Sequence, residues 1–476
     1  MSFHHVELRS AYADSVTLLE VSRTVQGLPG VLAAQVAMAT ALNVEVLTGM
    51  GFEVPAEATT NDLVVALRLA DPDELPAALA GVEQALTAAT RRAAGPADLD
   101  PPRTTASALR GAPRSVALVS VPGPSAMVEA MDAVDAGHDV MIFSDNVPVE
   151  QELALKRAAA QRGVLVMGPD CGTAVVDGVG LGFANVVAPG PVGIVAASGT
   201  GCQQVLALLD RAGVGVTSAL GVGGRDLSAE IGGLATREAL RRLDADPAVE
   251  LIVLISKPPA PEVATAIEEY AAGLATPVEL ALLGAGRPDL TAATEQVLRR
   301  LGWGVPDWPV VHQRGWVVPT GGGHLRGLFV GGTLASEARL IAAESLGTVG
   351  SEPDDLATGH AIVDFGDDTL TSGRAHPMID PTVRLQHLAM VAADPTTDVI
   401  LLDVVLGHGA EPDPAATLVP ALDQVDQLVV ITVVGTTHDP QDRAKTVEAL
   451  AAVGAEVYLS NAQATRAALR WTGRQA

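Results

Sequence analysis

Apolar positions along the first 95 residues change period several times. Residues 4–9 read as a short strand. Residues 15–26 carry apolar side chains at helical spacing and stop in the Gly-Leu-Pro-Gly sequence that ends at Gly30. Residues 31–38 and 63–69 are strand-like, and residues 72–93 form an amphipathic helical pattern. This βαβ–βα order predicts a small α+β sandwich of ferredoxin type. From residue 114 the pattern changes. Uniformly apolar runs such as residues 115–121, 138–144, 164–168, 192–198, 214–222, 249–256 and 278–284 recur, each followed by a helix-like stretch. Residues 325–331, 360–366, 398–406, 428–434 and 455–460 repeat the theme. Strands without alternation belong to parallel sheets covered on both faces, so the expectation is α/β, with several Rossmann- or flavodoxin-like units. Domains are expected at 1–95, 114–190, 191–300 and 327–476, with linkers at 96–113 and 301–326 and a break between the first two sheets near Pro189–Pro191.

Composition sharpens this picture. Hydrophobic residues make up 48% of the 476 and charged ones 18%, enough apolar content for large cores and against disorder. A net charge of -26 argues against nucleic acid as a partner, and any anion must be held locally by backbone amides and a few cations. Lysine occurs only at 156, 257 and 445. Two cysteines, Cys171 and Cys202, make no disulfide framework, and no apolar leader or membrane-length run is present, so a cytoplasmic protein without a membrane span is expected.

Ligands of open α/β sheets bind where strands end and helices begin, because the first amides of a helix are unpaired and its dipole favours anions. Four such turns stand out in the middle of the chain, and a further set in its last 150 residues. Ser198-Gly199-Thr200-Gly201 follows one apolar run, and Gly223-Gly224-Arg225 follows the next. Lys257 closes a third beside two prolines. Cys171 sits in a fourth, where a buried structural thiol is the commoner role. In the last 150 residues, Gly331-Gly332-Thr333, Arg374 with His376, Gly407-His408 and Gly435-Thr436 with His438 line up at corresponding positions. The first set is expected to bind phosphate. Arg225 and Lys257 are expected to neutralise anions, and His376, His438 and Arg374 to complete the site. The histidines lack ligand spacing, so no metal is expected.

The turn at Pro122–Pro124, the Met167–Thr173 segment, the Ser198–Gly201 turn and Gly221–Asp226 resemble the alpha chain of succinyl-CoA synthetase. With Asp14–Ser22, Ser256–Ala260, Gly331–Leu334, Gly373–Pro381 and Gly435–Gln441 added, nearly the whole chain resembles the FdrA family, a divergent branch of that superfamily. The resemblance implies a CoA-binding-like unit that lacks the CoA loop, followed by two synthetase-like units. The synthetase's Gly-His-Ala-Gly loop has no counterpart after the second sheet, and the phosphohistidine role does not transfer to His408. FdrA-like proteins imply a subunit of oxamate carbamoyltransferase, which moves a carbamoyl group between carbamoyl phosphate and oxamate in allantoin breakdown. Here the substrate would be carbamoyl phosphate or another acyl phosphate, and no cofactor is called for. An acyl-CoA synthetase subunit using CoA and ATP or ADP is the alternative, and a non-catalytic scaffold or regulatory subunit the third. Small anionic substrates and partner subunits, or a homodimer, are the expected partners.

Overall fold

A computed structural model describes residues 3–11, 13, 15–93, 102–112, 115–312, 322–371 and 375–472. The chain divides into two units, Met1–Pro102 with Asp368–Asp380, and Arg103–Asp367 with Pro381–Ala476. In the first unit, β1 (Phe3–Arg9), α1 (Ser15–Gln26), β2 (Val31–Met38), α2 (Ala41–Gly49), β3 (Leu63–Leu69) and α3 (Leu75–Ala93) follow in order. The sheet is antiparallel, β1-β3-β2. Leu18, Val21 and Val25 of α1 and Val82 of α3 pack onto Val65, Leu67 and Leu69 of β3. The α2 helix has no apolar stripe for a periodicity search to find. It is started by Thr40, whose hydroxyl accepts from the Asn43 amide at 3.4 Å. Arg23 donates to the Ile379 carbonyl at 3.0 Å and ties the 368–380 segment into this unit.

Among the described residues, the second unit holds three sheets. A short helix, α4 (Thr105–Leu109), lies where a linker was expected. It is closed by a capping box at Thr104 and anchored to α5 through the Ala106 amide, which donates to Asp132 at 2.6 Å. Then come β4 (Val116–Val119), α5 (Gly123–Asp135), β5 (Asp139–Ile142), α6 (Val149–Arg162) and β6 (Val166–Met167), a parallel three-stranded sheet. The second sheet takes β7 (Thr173–Val176), β8 (Val179–Gly182), β9 (Val192–Ala197), β10 (Val216–Gly221), β11 (Leu251–Ser256) and β12 (Val278–Leu282) in the order β12-β11-β9-β10-β7-β8. Its helices are α7 (Gly199–Arg211), α8 (Leu234–Asp244), α9 (Pro261–Ala272) and α10 (Leu290–Arg300). Every residue of β9 and β11 is buried, as uniformly apolar central strands require. The break between sheets comes after β6 rather than near Pro189–Pro191. The β7–β8 hairpin pairs antiparallel with β10 through Ala219 and Val175, and so covers an edge that β10 would otherwise expose.

The third sheet contains β13 (Val310–Val311), β14 (His324–Phe329), β15 (Ala361–Asp364), β16 (Thr397–Val405), β17 (Leu428–Val434) and β18 (Glu456–Tyr458), ordered β13-β18-β17-β16-β14-β15. Its helices are α11 (Gly332–Leu346), α13 (Thr382–Ala393), α14 (Pro414–Leu422), α15 (Arg443–Ala452) and α16 (Asn461–Leu469), while the short α12 (Asp368–Thr371) belongs to the first unit. Buried polar bonds join this sheet to the second. Gln204 of α7 donates to the Leu459 carbonyl and accepts from the Asn461 amide, both at 3.0 Å. Glu337 of α11 accepts from the Leu290 amide and from the Asn461 side chain, each at 2.7 Å. Buried polar groups of this kind admit few alternative arrangements, because each needs its partner in place. Among the described residues, no helix is long and apolar enough to cross a membrane.

Candidate functional site

The α7 helix starts directly from the carboxyl end of a central strand. Ser198 caps it, accepting from the Gly201 amide at 2.9 Å, and its hydroxyl donates to Thr333 Oγ1 at 2.6 Å. The amides of Gly199 and Thr200 have no acceptor among the described residues. Thr173, at the start of β7, is 1% exposed, and its hydroxyl has no hydrogen-bond partner. A Cβ added at Gly199 would stand 3.6 Å from that hydroxyl. Two free helix amides and a buried, unsatisfied hydroxyl therefore converge on one spot, an arrangement that suits a phosphate or carboxylate oxygen.

The start of α11 faces it from the third sheet and is furnished differently. Gly331 offers no side-chain cap. Asp403, from the middle of β16, accepts from the Val330 amide at 2.8 Å and from the Gly331 amide at 2.9 Å. Arg384 donates to the Asp403 carbonyl at 2.6 Å and lies 3.3 Å from its carboxylate. Burial pushes the Asp403 carboxyl up to about 6, against the opposing pull of Arg384 and the two amides. Burial also raises Asp364, at the end of β15, with Lys257 opposing. The two helix starts meet closely because both are glycine-rich. A Cβ at Gly331 would lie 2.9 Å from both Asp403 Oδ2 and Thr200 Oγ1. One at Gly332 would collide with the Asp364 carboxylate and stand 2.6 Å from Lys257 Nζ. Ser198–Gly201, Gly331–Thr333 and Lys257 thus come together around Asp364 and Asp403.

Lys257 is half-buried and also borders a cavity of 360 Å³ shared with Gly224, Arg225, Ser228, Ser256 and Pro258. Arg225 faces this cavity with its guanidinium already committed. It bonds Glu152 at 3.0 Å and the Val147 carbonyl at 2.8 Å. Glu152 in turn meets buried Lys156, which bonds Asp226, both at 2.8 Å. Two cations and two carboxylates balance there, so Arg225 brings little uncompensated charge. Gly223 adopts a φ of +89°, and a Cβ there would strike the Pro169 carbonyl at 2.5 Å, which explains why the turn needs glycine.

The remaining candidates are scattered. Gly407 rests against the Phe183 and Ala184 carbonyls, and its amide donates to Gln441 at 3.1 Å. His408 is exposed on that loop. Its loop is not remote from α7, since the Phe183 amide donates to the Gly172 carbonyl at 2.7 Å and Gly172 approaches Gly199. The Gly435-Thr436 turn is filled from within. Thr436 is buried, its amide bonds Asp439 at 2.7 Å and its hydroxyl the Val186 carbonyl at 2.7 Å, leaving His438 exposed. His376 belongs to the first unit, where burial lowers it to about 4 and its Nδ1 accepts from the Met378 amide at 3.2 Å. Arg374 lies outside the described residues. Burial pushes the Cys171 thiol up to about 12, which suits a structural role. Asp403 and the hydroxyl of Thr173 were missed as site groups. The first had a signal, an acid inside the apolar run 398–406.

Residues 328–471 match the CoA-ligase family, and residues 1–101 match the AllF heavy metal-associated domain. The matched N-terminal stretch contains no cysteine, and among the described residues no cluster of three His, Cys, Asp or Glu could hold a metal ion, so its side chains do not fit a heavy metal. The uncharacterized protein YahF of Escherichia coli K12 is 37% identical over 455 residues, 89% of this chain and 88% of that one. The alpha 2 subunit of an Archaeoglobus fulgidus succinate–CoA ligase (ADP-forming) is 30% identical over 154 residues, 32% of this chain and 52% of that one. The SauD subunit of an ADP-forming sulfoacetate–CoA ligase from Bilophila wadsworthia is 28% identical over 152 residues, 30% of this chain and 50% of that one. The chain thus spans about half the length of these ligase subunits. Among solved structures, the dinucleotide-forming acetyl-coenzyme A synthetase 1 of Ca. Korarchaeum cryptofilum, in complex with phosphate and ADP, covers 74% of this chain and 81% of its own at 17% identity and a TM-score of 0.30.

Proposed function

We propose, for a chain that belongs to the family of Escherichia coli YahF, that it is the phosphate-holding subunit of an acid–thiol ligase, acting on an acyl phosphate and CoA. The observation that carries this reading is the open start of α7. Gly199, Thr200 and the Thr173 hydroxyl are left without partners beside Lys257, in a chain whose residues 328–471 match the CoA-ligase family. The acyl carbon–oxygen bond of the acyl phosphate breaks, a carbon–sulfur bond to CoA forms, and the thiol proton leaves with the phosphate. Amides fixed at the helix start and the Lys257 ammonium hold the departing phosphate and stabilise its charge. Asp364 and Asp403 repel a second anion from the start of α11, so the phosphate has one seat rather than two.

This reading replaces the carbamoyl transfer to oxamate that the resemblance to FdrA implies. Two of the relatives named above are, by their names, subunits of CoA ligases, and no name among them states carbamoyl transfer. Those names also support a partner chain that supplies the nucleotide. The resemblance does not carry the phosphohistidine role to His408, but its exposure, on a loop that reaches toward α7 through Phe183 and Gly172, makes it the histidine to watch as a phosphoryl acceptor in the ligase reading.

Thermal unfolding with inorganic phosphate, acetyl phosphate, CoA, ATP, carbamoyl phosphate and oxamate tests the proposal. Phosphate, acetyl phosphate and CoA should each raise the melting temperature, and Lys257→Met should lose the phosphate shift. A shift with carbamoyl phosphate and oxamate, and none with CoA, would return the assignment to carbamoyl transfer.

A further inference from the structure

The third sheet has a second polar cluster, at the opposite end of its strands from the glycine turns. Arg326 is the third residue of β14, five residues before Gly331, or roughly 16 Å away at about 3.3 Å per residue. It is 0% exposed, yet two of its three guanidinium nitrogens, Nε and Nη1, have no hydrogen-bond partner. Among the described residues, only Nη2 reaches other groups, Asp394 Oδ2 at 3.4 Å and Thr396 Oγ1 at 3.5 Å, both at the outer limit of a hydrogen bond.

Its neighbours are also short of partners. His324, two residues earlier on the same face of the strand, has a buried Nδ1 with none. The His360 ring stands edge-on to the His324 ring at 5.1 Å, and its Nδ1 accepts from the Leu325 amide at 3.0 Å, which places its own proton on Nε2. Thr397 pairs in register with His324, and its hydroxyl is buried and unpartnered. Two carboxylates stand at this edge, Asp394, whose Oδ1 accepts from the Thr396 amide at 2.9 Å, and Asp398, which accepts from the Gly323 amide at 2.7 Å, and neither reaches Nε or Nη1 of Arg326. Among the described residues, Asp394 is the only carboxylate within ion-pairing distance of Arg326. A buried cation with idle N–H groups calls for an acceptor carrying negative charge.

We propose that this edge is a binding site for a small monoanion, either a halide-sized inorganic ion or a short free carboxylate, held by Arg326 with Thr397 and His324 as further donors. It is separate from the phosphate seat at the start of α7 and does not depend on the ligase reading. A net charge of -26 prevents diffuse capture of anions, so a site of this kind has to be built from local donors.

The test compares the intact protein with Arg326→Met at constant ionic strength, exchanging sodium gluconate, too bulky for an enclosed site, for bromide or acetate. The melting temperature of the natural protein should rise saturably with one or both, and R326M should lose the saturable part. Response to bromide assigns an inorganic ion, and response to acetate alone assigns a carboxylate. If bromide is the responder, crystals soaked in it should show an anomalous peak within hydrogen-bonding distance of the guanidinium. Should R326M fail to fold, Thr397→Val replaces it, with an expected several-fold weaker apparent affinity. Equal responses of natural protein and variant to both anions, or no response at all, overturn the site.

Discussion

The starts of α7 and α11 are two solutions to one local problem. Each follows a buried parallel strand, each is rich in glycine, and each leaves its first amides without helical partners. At α11 the chain places its own anion beside the helix start, since Asp403 takes the Val330 and Gly331 amides of the turn that leads into it and Arg384 holds it there, so its charge opposes a second anion at that start. At α7 the chain supplies only a neutral cap. Ser198 satisfies Gly201 and leaves Gly199, Thr200 and the Thr173 hydroxyl open. A glycine-rich helix start is thus competent to bind an anion, and whether a ligand can use it depends on whether a carboxylate from elsewhere has already arrived.

Removing that carboxylate should break the contrast most severely. Asp403→Ala leaves Arg384 buried without its ion partner and frees two amides, so urea unfolding should show a loss of about 3–5 kcal/mol. A loss below about 1 kcal/mol would mean that Asp403 does not anchor the turn that leads into α11. The next effect concerns pH. Burial pushes Glu337, in the middle of α11, up to about 7 from an ordinary 4.5, with Asp289 adding to the rise and Asn461, the Leu290 amide and Arg466 opposing it. Between those values the folded state holds a proton that the unfolded chain has lost. Stability should therefore be greatest below about 4.5 as far as this group is concerned, and should fall as pH rises through 7, by on the order of 3 kcal/mol. Glu337→Gln, which mimics the protonated form, should flatten that slope in unfolding curves taken from pH 5 to 8.

Ser198→Ala should cost about 1 kcal/mol for the lost cap. It should also weaken phosphate binding, because the helix start is no longer held against Thr333. Thr173→Val is the mildest and most diagnostic change. Its hydroxyl bonds nothing in the fold, so stability should stay within about 0.5 kcal/mol while phosphate affinity, read by titration calorimetry, drops about five- to tenfold. A marked loss of stability with unchanged phosphate binding would make Thr173 a purely structural residue and remove the asymmetry on which the comparison rests.

Much of the architecture is legible in the amino-acid pattern. The uniform runs at 192–198, 249–256 and 428–434 are the buried central strands β9, β11 and β17, and the period change near residue 114 separates the antiparallel unit from the parallel ones. Besides α2, two features escaped that pattern. The β7–β8 strands are short and sit between turns, so their run of residues does not say which sheet they join, and only the exposed edge of β10 decides it. The α4 helix is too short to show a period and owes its existence to its capping box and to α5.

The candidate site divides along the same line. Local sequence was enough to place the Ser198–Gly201, Gly331–Thr333 and Lys257 turns at the carboxyl ends of strands, because glycine, a capping hydroxyl and the end of an apolar run are neighbours in the chain. Which turns are open was settled only by tertiary structure. Asp403 reaches Gly331 across 72 positions, Glu152 engages Arg225 across 73, and the Thr436 hydroxyl is drawn to the Val186 carbonyl across 250. A helix start advertises its amides through its own residues, but the groups that occupy or spare them are brought by the folding of the whole sheet.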